Sequence, residues 1–149
     1  MSSPFEVLVV SADMENRGDL ARILAAQGFD PVCVSSLREC HEVFAQKRVG
    51  LVFCDPLVTD GDYEELLSAY RLKDRKPRVV VTSAYGDWEY FKKAMRLGAF
   101  DVISVPCRST DVEWVIVQAK RDERNRSRNS HGPLIVEPRR TAAAASGLR

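Results

Sequence analysis

The chain has 149 residues, with 22 Lys+Arg against 21 Asp+Glu for a formal net charge of +1, and is 45% hydrophobic and 29% charged. That is about one domain's length, enough to bury a core without staples, and the composition excludes collagen, low-complexity disorder and a disulfide scaffold. No apolar run approaches the roughly 18 residues of a membrane span; Met1 to Pro4 lacks signal-peptide character; and the cysteines at 33, 40, 54 and 107 form no CxxC pair, so ordinary thiols and a cytoplasmic, reducing location are expected.

In chain order, strands and helices alternate. Phe5–Val10 (FEVLVV) is a continuous apolar run, which suits a strand buried on both faces. Asp19–Gln27 places Leu20, Ile23 and Leu24 at helical spacing, and Gly28 follows as a stop. Asp30–Val34 is a short strand. Ser36 caps a helix with Glu39 three residues on, a capping-box pattern, and its stripe is Leu37, Cys40, Val43 and Phe44. Gly50–Cys54 is an apolar strand running into Asp55. Gly61–Leu72 carries Tyr63, Leu66, Leu67 and Tyr70 on one helical face. Arg78–Thr82 is a strand, Asp87–Leu97 a helix with Trp88, Phe91 and Met95 on its inward stripe, and Gly98 ends it. Asp101–Ser104 is the fifth strand. Ser109 or Thr110 then caps a last helix with Val112, Val115, Ile116 and Ala119 inward.

The near-neutral total hides an asymmetry. Residues 121–149 hold seven Arg and three acids, a net of +4, which leaves −3 for residues 1–120. Residues 4–121 are therefore read as one domain, and residues 122–149 as a basic helical extension and a tail. After His131 the tail has two prolines and a small-residue run without a helical apolar stripe, so disorder is expected there. No helix-turn-helix or zinc-finger pattern accompanies its charge, so nucleic acid is not an expected partner.

Five β-α units with apolar strands imply a parallel sheet covered by helices on both faces. Function in such sheets lies beyond the carboxyl ends of the strands. The residues there are Ser11, Ala12 and Asp13, then Asp55, then Ser83 and Ala84, then Val105 and Pro106. No GxGxxG, GxxxxGK[ST] or GxSxG occurs, so a dinucleotide fingerprint, a P-loop and a nucleophile elbow are all missing. Asp60 and Asp62 flank Gly61, but no EF-hand ligand set follows; they read as an acidic turn at a helix N-terminus.

Over residues 4–121 the chain resembles the receiver domain of bacterial two-component response regulators. FEVLVVSAD stands where that family has an apolar strand followed by acids. LVFCD ends at the family's phosphoacceptor position, here Asp55, and VVVTSA places Ser83 before Ala84 at the strand end that contacts the phosphoryl group. DWEYFKKAMRLGAFDVISVP matches the fourth helix, Gly-Ala, fifth strand and Pro segment. The resemblance implies a CheY-like (flavodoxin-like) doubly wound α/β sheet in strand order 2-1-3-4-5. It also implies a non-enzymatic signalling role in a phosphorelay, with a histidine kinase or another regulator as partner.

Several positions depart from the family pattern. Receivers bind Mg²⁺ with two adjacent acids after strand one, which fall here on Ser11 and Ala12, with Asp13 one place too far along. The family's Lys before Pro is Val105, and its aromatic switch on strand five is Val102. The loop after Asp55 is about two residues short. Phosphoryl transfer needs the moving charge neutralised, and losing roughly 4 kcal/mol of that stabilisation slows transfer about 10³-fold. The expected module is therefore degenerate, a pseudo-receiver acting by protein contact without metal. In the alternative, Asp55 is still phosphorylated by a partner histidine kinase, with Mg²⁺ held by Asp13 and Asp55. The expected contact surface is helices four and five, where Tyr90, Trp114 and Val117 lie off the inward stripes and could seat a partner or a second copy.

Overall fold

The computed structural model describes residues 5–84 and 86–131. The chain divides into two units, Met1–Ala119 and Lys120–Arg149. The first holds β1 (Glu6–Val10), α1 (Met14–Ala26), β2 (Val32–Val34), α2 (Leu37–Gln46), β3 (Val49–Cys54), β4 (Leu57–Val58), β5 (Gly61–Asp62), α3 (Tyr63–Ala69), β6 (Arg78–Ser83), α4 (Trp88–Arg96) and β7 (Asp101–Ser104). The last helix, α5, is Ser109–His131. Among its residues in the second unit, Arg126 pairs with Asp122 at 3.4 Å. The expected disorder after His131 falls outside the described residues.

Five strands form one parallel sheet in the order β2-β1-β3-β6-β7. This is the expected 2-1-3-4-5 order once the two-residue strands β4 and β5, which form their own antiparallel ribbon, are set aside. Residues of β1, β3 and β6 are buried almost throughout, as continuous apolar runs require when both faces are covered. Strand alternation sends side chains to two cores. Val7, Val9, Leu51, Phe53 and Val80 meet Leu20 and Leu24 of α1 and Val112, Val115, Ile116 and Ala119 of α5. Leu8, Val10, Val52, Cys54 and Val81 meet Leu37 and Cys40 of α2, Tyr63 and Leu66 of α3 and Ala94 of α4. The architecture is thus doubly wound α/β.

Helix ends follow local chemistry. Gly28 (φ 92°) and Gly98 (φ 108°) take up the left-handed conformation just past α1 and α4, where a Cβ would be strained. Ser36 accepts from the Glu39 N–H, and the Glu39 carboxylate accepts from the Ser35 N–H and the Ser36 hydroxyl. Asp87 caps α4 through the Tyr90 N–H.

Four sequence expectations are corrected. The first helix begins at Met14, not Asp19, because Asp13 accepts from the Glu15 and Asn16 N–H groups and starts it a turn early. The second strand begins at Val32. The third helix is shorter than Gly61–Leu72, since Gly61 and Asp62 pair with Val58 and Leu57 and Asp62 then caps Tyr63–Ala69. On α4, Ala94 is the fully buried residue, while Trp88 is 64% exposed and Met95 37% exposed. The helix therefore sits on its smallest side chain, with the bulky stripe turned outward.

Candidate functional site

Strands β1, β3 and β6 end together, and three of the four buried polar residues of the described chain, Ser11, Thr82 and Ser83, lie at those ends. Asp55 follows β3 directly. Its N–H donates to the Val10 carbonyl at 3.0 Å, which places its side chain beside the residue after β1. The Ser11 hydroxyl donates to Asp55 Oδ2 at 2.6 Å, and the Thr82 hydroxyl donates to Asp55 Oδ1 at 2.7 Å. Each carboxylate oxygen thus holds a short, charge-assisted hydrogen bond from an uncharged donor.

Ser11 is itself held in place. Its Oγ accepts from the Asp13 N–H at 3.2 Å, and its carbonyl accepts from Arg17 Nη1 at 2.7 Å. Ala12 is exposed and brings nothing to the cluster. The Asp13 carboxylate is committed to the N-terminus of α1. Val105 and Cys107 complete the wall opposite, and the cavity among Ser11, Asp55, Thr82, Val105 and Cys107 measures about 10 Å³, the lower limit for one water. Burial, with Asp55 as the next cause, pushes the Cys107 thiol up to about 11, so that part of the wall is an uncharged thiol; Asp19, which pairs with Arg22, and Asn16 line the cavity beside it.

A hydrated divalent cation does not fit this arrangement. Mg²⁺ needs near-octahedral oxygen ligands and keeps several of its waters. Asp55 has both oxygens engaged, Asp13 is engaged elsewhere, and no cluster of three or more His, Cys, Asp or Glu suited to a metal occurs among the described residues.

Ser83 was expected on the phosphoryl side, but Thr82 is the hydroxyl that reaches Asp55. Cys54 pairs with Val81, so Asp55 and Thr82 come next to each other and alternation sends Ser83 to the opposite face, beside Tyr90. A sequence shows both hydroxyls but not the register that chooses between them. Asp60, read as part of an acidic turn, accepts from the Leu37 and Arg38 N–H groups at 2.7 and 3.1 Å. The Leu37 hydrogen bond is the main cause holding its carboxyl below the usual range. The loop after Asp55 is thereby tied to the start of α2, a tie reinforced by Thr59 bonding the Ser35 carbonyl.

The two buried cysteines, Cys40 and Cys54, are held as thiols. Burial pushes the Cys40 thiol up to about 12 and raises Cys54 further still, and a protonated thiol is a weak nucleophile.

The α4–β7–α5 surface has a different character. Trp114 is 59% exposed and Val117 40% exposed on α5, off its buried stripe as expected. Tyr90 is corrected: it packs against the core with Val102, and its ring lies 6.2 Å from that of Tyr63 on α3. Lys93, on the same flank, pairs with Glu64 of α3 at 3.1 Å. The outward flank of α4 carries instead Trp88, stacked on Phe91 at 5.5 Å with Lys92 over its ring, and Met95.

Sheet order, the acid after β3 and the hydroxyls after β1 and at the end of β6 together define a CheY-like signalling module. The family model for the response regulator receiver domain matches residues 7–116, and the chain belongs to that family. It is 25% identical over 119 residues to the regulatory protein AtoC of Escherichia coli, covering 80% of this chain and 26% of AtoC. It is 28% identical over 106 residues to a putative response regulator, NtrX-like, of Rickettsia bellii, covering 70% of this chain and 22% of that protein. The chain thus spans about a quarter of the length of these curated relatives. In fold it matches the beryllofluoride-activated NtrC4 receiver domain dimer, with TM-score 0.72, 22% identity and coverage of 79% of this chain and 98% of that one. It also matches NtrX from Brucella abortus in complex with ATP, with TM-score 0.77, 23% identity and coverage of 86% and 29%. Among the described residues no helix is long and apolar enough to cross a membrane.

Proposed function

We propose that this receiver is degenerate and signals in a phosphorelay system, in the cytoplasm, by protein contact rather than by Mg²⁺-dependent phosphorylation of Asp55. The observation that carries the reading is the pair of hydroxyls on Asp55, at 2.6 and 2.7 Å. In an acid pocket, repulsion between carboxylates is relieved by a cation. Here Ser11 and Thr82 satisfy the Asp55 carboxylate and Arg22 pairs with the Asp19 carboxylate, so the metal-free pocket is already at rest. An incoming phosphoryl group would have to displace the donor on the oxygen it bonds, and Val105 offers it no positive charge.

The contact surface in this reading is the α4–β7–α5 side, with Trp114 as anchor and Val117 beside it. The exposure of Trp88 and Met95, with Phe91 stacked on Trp88, supports extending that surface along α4, where Tyr90 turns to the core. Exposed aromatics next to Lys and Arg match the composition of interfaces, and the partner is a second copy, a histidine kinase or another regulator. The competing reading keeps Asp55 as a phosphoacceptor for a partner histidine kinase, and rests on an acid being retained at that position.

The two readings separate in one titration. Backbone NMR signals of Asp55, Thr82 and Ser83 are followed while Mg²⁺ and then beryllofluoride are added to the full chain. Degeneracy predicts no saturable shift up to millimolar Mg²⁺. Saturable shifts at Asp55 and Thr82 would establish phosphoacceptor chemistry and overturn the proposal.

A further inference from the structure

The last turns of α5, in the second unit, carry a charge pattern that the reading above does not use. Arg121, Arg124 and Arg128 stand at i, i+3 and i+7 on the helix, so they fall within about 60° of one another on one side of it. All three are exposed. None has an acid three or four residues away in the chain, the spacing at which helical side chains meet, and no ion pair among the described residues involves them. Asp122 and Glu123 lie at least about 100° round the helix from each of the three, and Asp122 pairs with Arg126 on its own flank. The helix has sorted its charge, with the acids turned away and three unpaired guanidinium groups in a row.

Like charges at these spacings repel, so the stripe gains when an anion covers it. The chemistry around it selects the anion. The run from Lys120 to His131 (KRDERNRSRNSH) contains no apolar residue. A helix that lies on a membrane needs an apolar face to insert, and a protein interface is anchored by buried aromatic or aliphatic side chains. A nucleic-acid backbone needs neither. The guanidinium fork matches two phosphate oxygens at once. From Arg121 to Arg128 the helix rises about 10 Å, over which one strand of duplex DNA presents about three phosphates. The major groove of B-form DNA also admits an α-helix, whereas that of an RNA duplex is too narrow.

We propose that Arg121, Arg124 and Arg128 form a contact surface for the phosphate backbone of double-stranded DNA, independent of base sequence. The sequence predicts no nucleic-acid partner because helix-turn-helix and zinc-finger patterns are missing. That absence excludes base reading by those motifs, not phosphate contact, which positions a protein on DNA without reading it. The surface does not depend on the docking face of α4 and α5 or on the state of Asp55.

The test measures binding of the full chain to a labelled DNA duplex of mixed sequence by fluorescence anisotropy, over a series of KCl concentrations. Low-salt binding should be no weaker than about 10⁻⁴ M, and the plot of log K against log salt should have a slope of about −2.7 or steeper. Arg121→Gln, Arg124→Gln and Arg128→Gln should each flatten the slope by about 0.9. Replacing all three by Lys should keep it. Arg126→Gln removes the same charge from the opposite flank and should leave the slope unchanged, which separates a specific face from net charge. Gln is a good helix former, so Tm should stay level across the series. A second duplex of unrelated sequence should bind equally well. Absence of binding at low salt, equal losses for Arg126→Gln and Arg121→Gln, or binding to vesicles containing phosphatidylserine with none to the duplex overturns the proposal.

Discussion

The Asp55 pocket and the α4–β7–α5 surface belong to the same unit yet handle their side chains in opposite ways. In the pocket the carboxylates have partners: Asp55 takes Ser11 and Thr82, Asp13 takes the α1 N-terminus and Asp19 takes Arg22, while the far wall is Val105 and a protonated Cys107. On the surface, large apolar side chains such as Trp88 and Trp114 stand in solvent. A satisfied polar site binds weakly, because a ligand must break bonds before making them. An exposed aromatic gains on being covered. On the proposed reading, that difference puts binding capacity on the helices and stability in the pocket.

Removing a pocket donor should give the largest effect. Thr82→Val leaves one carboxylate oxygen without its buried donor and should cost about 1.5–3 kcal/mol, the range for hydrogen bonds to charged groups. Urea melts check this, and the cost should shrink in an Asp55→Asn background if the bond to Asp55 is its cause. Next comes Trp114→Ala, which should weaken self-association or partner binding by about 1–2 kcal/mol while leaving Tm nearly unchanged. Sedimentation and thermal melts read the two quantities, and a large fall in Tm with unchanged association would make Trp114 a core residue.

A gain of function sharpens the contrast. Ser11→Asp with Ala12→Asp should lower metal-free stability by placing acids beside Asp55. It should also let Mg²⁺ recover about 1 kcal/mol when present at a few times its Kd; the natural sequence should show no such metal-dependent rise in Tm. The smallest effect concerns the loop. The Asp60 carboxyl is held low in the folded chain, so its contribution is present above the unfolded value of about 4 and is lost as pH falls through the folded one. Asp60→Asn should therefore lower Tm at neutral pH and converge with the unmodified chain in acid. Asp101 has the opposite sign: burial raises its carboxyl, so its ionisation costs stability as pH rises.

Much of the fold was legible because its determinants are local. Continuous apolar runs marked β1, β3 and β6, and glycines after Gln27 and Leu97 marked helix ends that the backbone confirms at positive φ. Ser36 with Glu39 announced α2. The inward stripe of α5 was also readable, since Val112, Val115, Ile116 and Ala119 recur at helical spacing and all four are buried. Asp55 stood out as the acid at the end of an apolar strand.

Three decisions belonged to the tertiary structure. Which hydroxyl meets Asp55 depends on the register between β3 and β6, where a shift of one residue exchanges Thr82 for Ser83 and reverses the face. Which side of α4 is inward depends on what the sheet admits. The helix carries apolar residues on more than one flank, and its seating on Ala94 puts Tyr90 against α3 and Trp88 in solvent. Asp60 caps a helix that begins 23 residues earlier in the chain, a pairing that no local pattern announces. Sequence alone determined the elements and the acid at the heart of the site, because propensity, periodicity and capping act within a turn or a strand. The partners of that acid and the side of α4 left in solvent were decided only by how the elements dock, because register and helix seating are set by contacts between residues far apart in the chain.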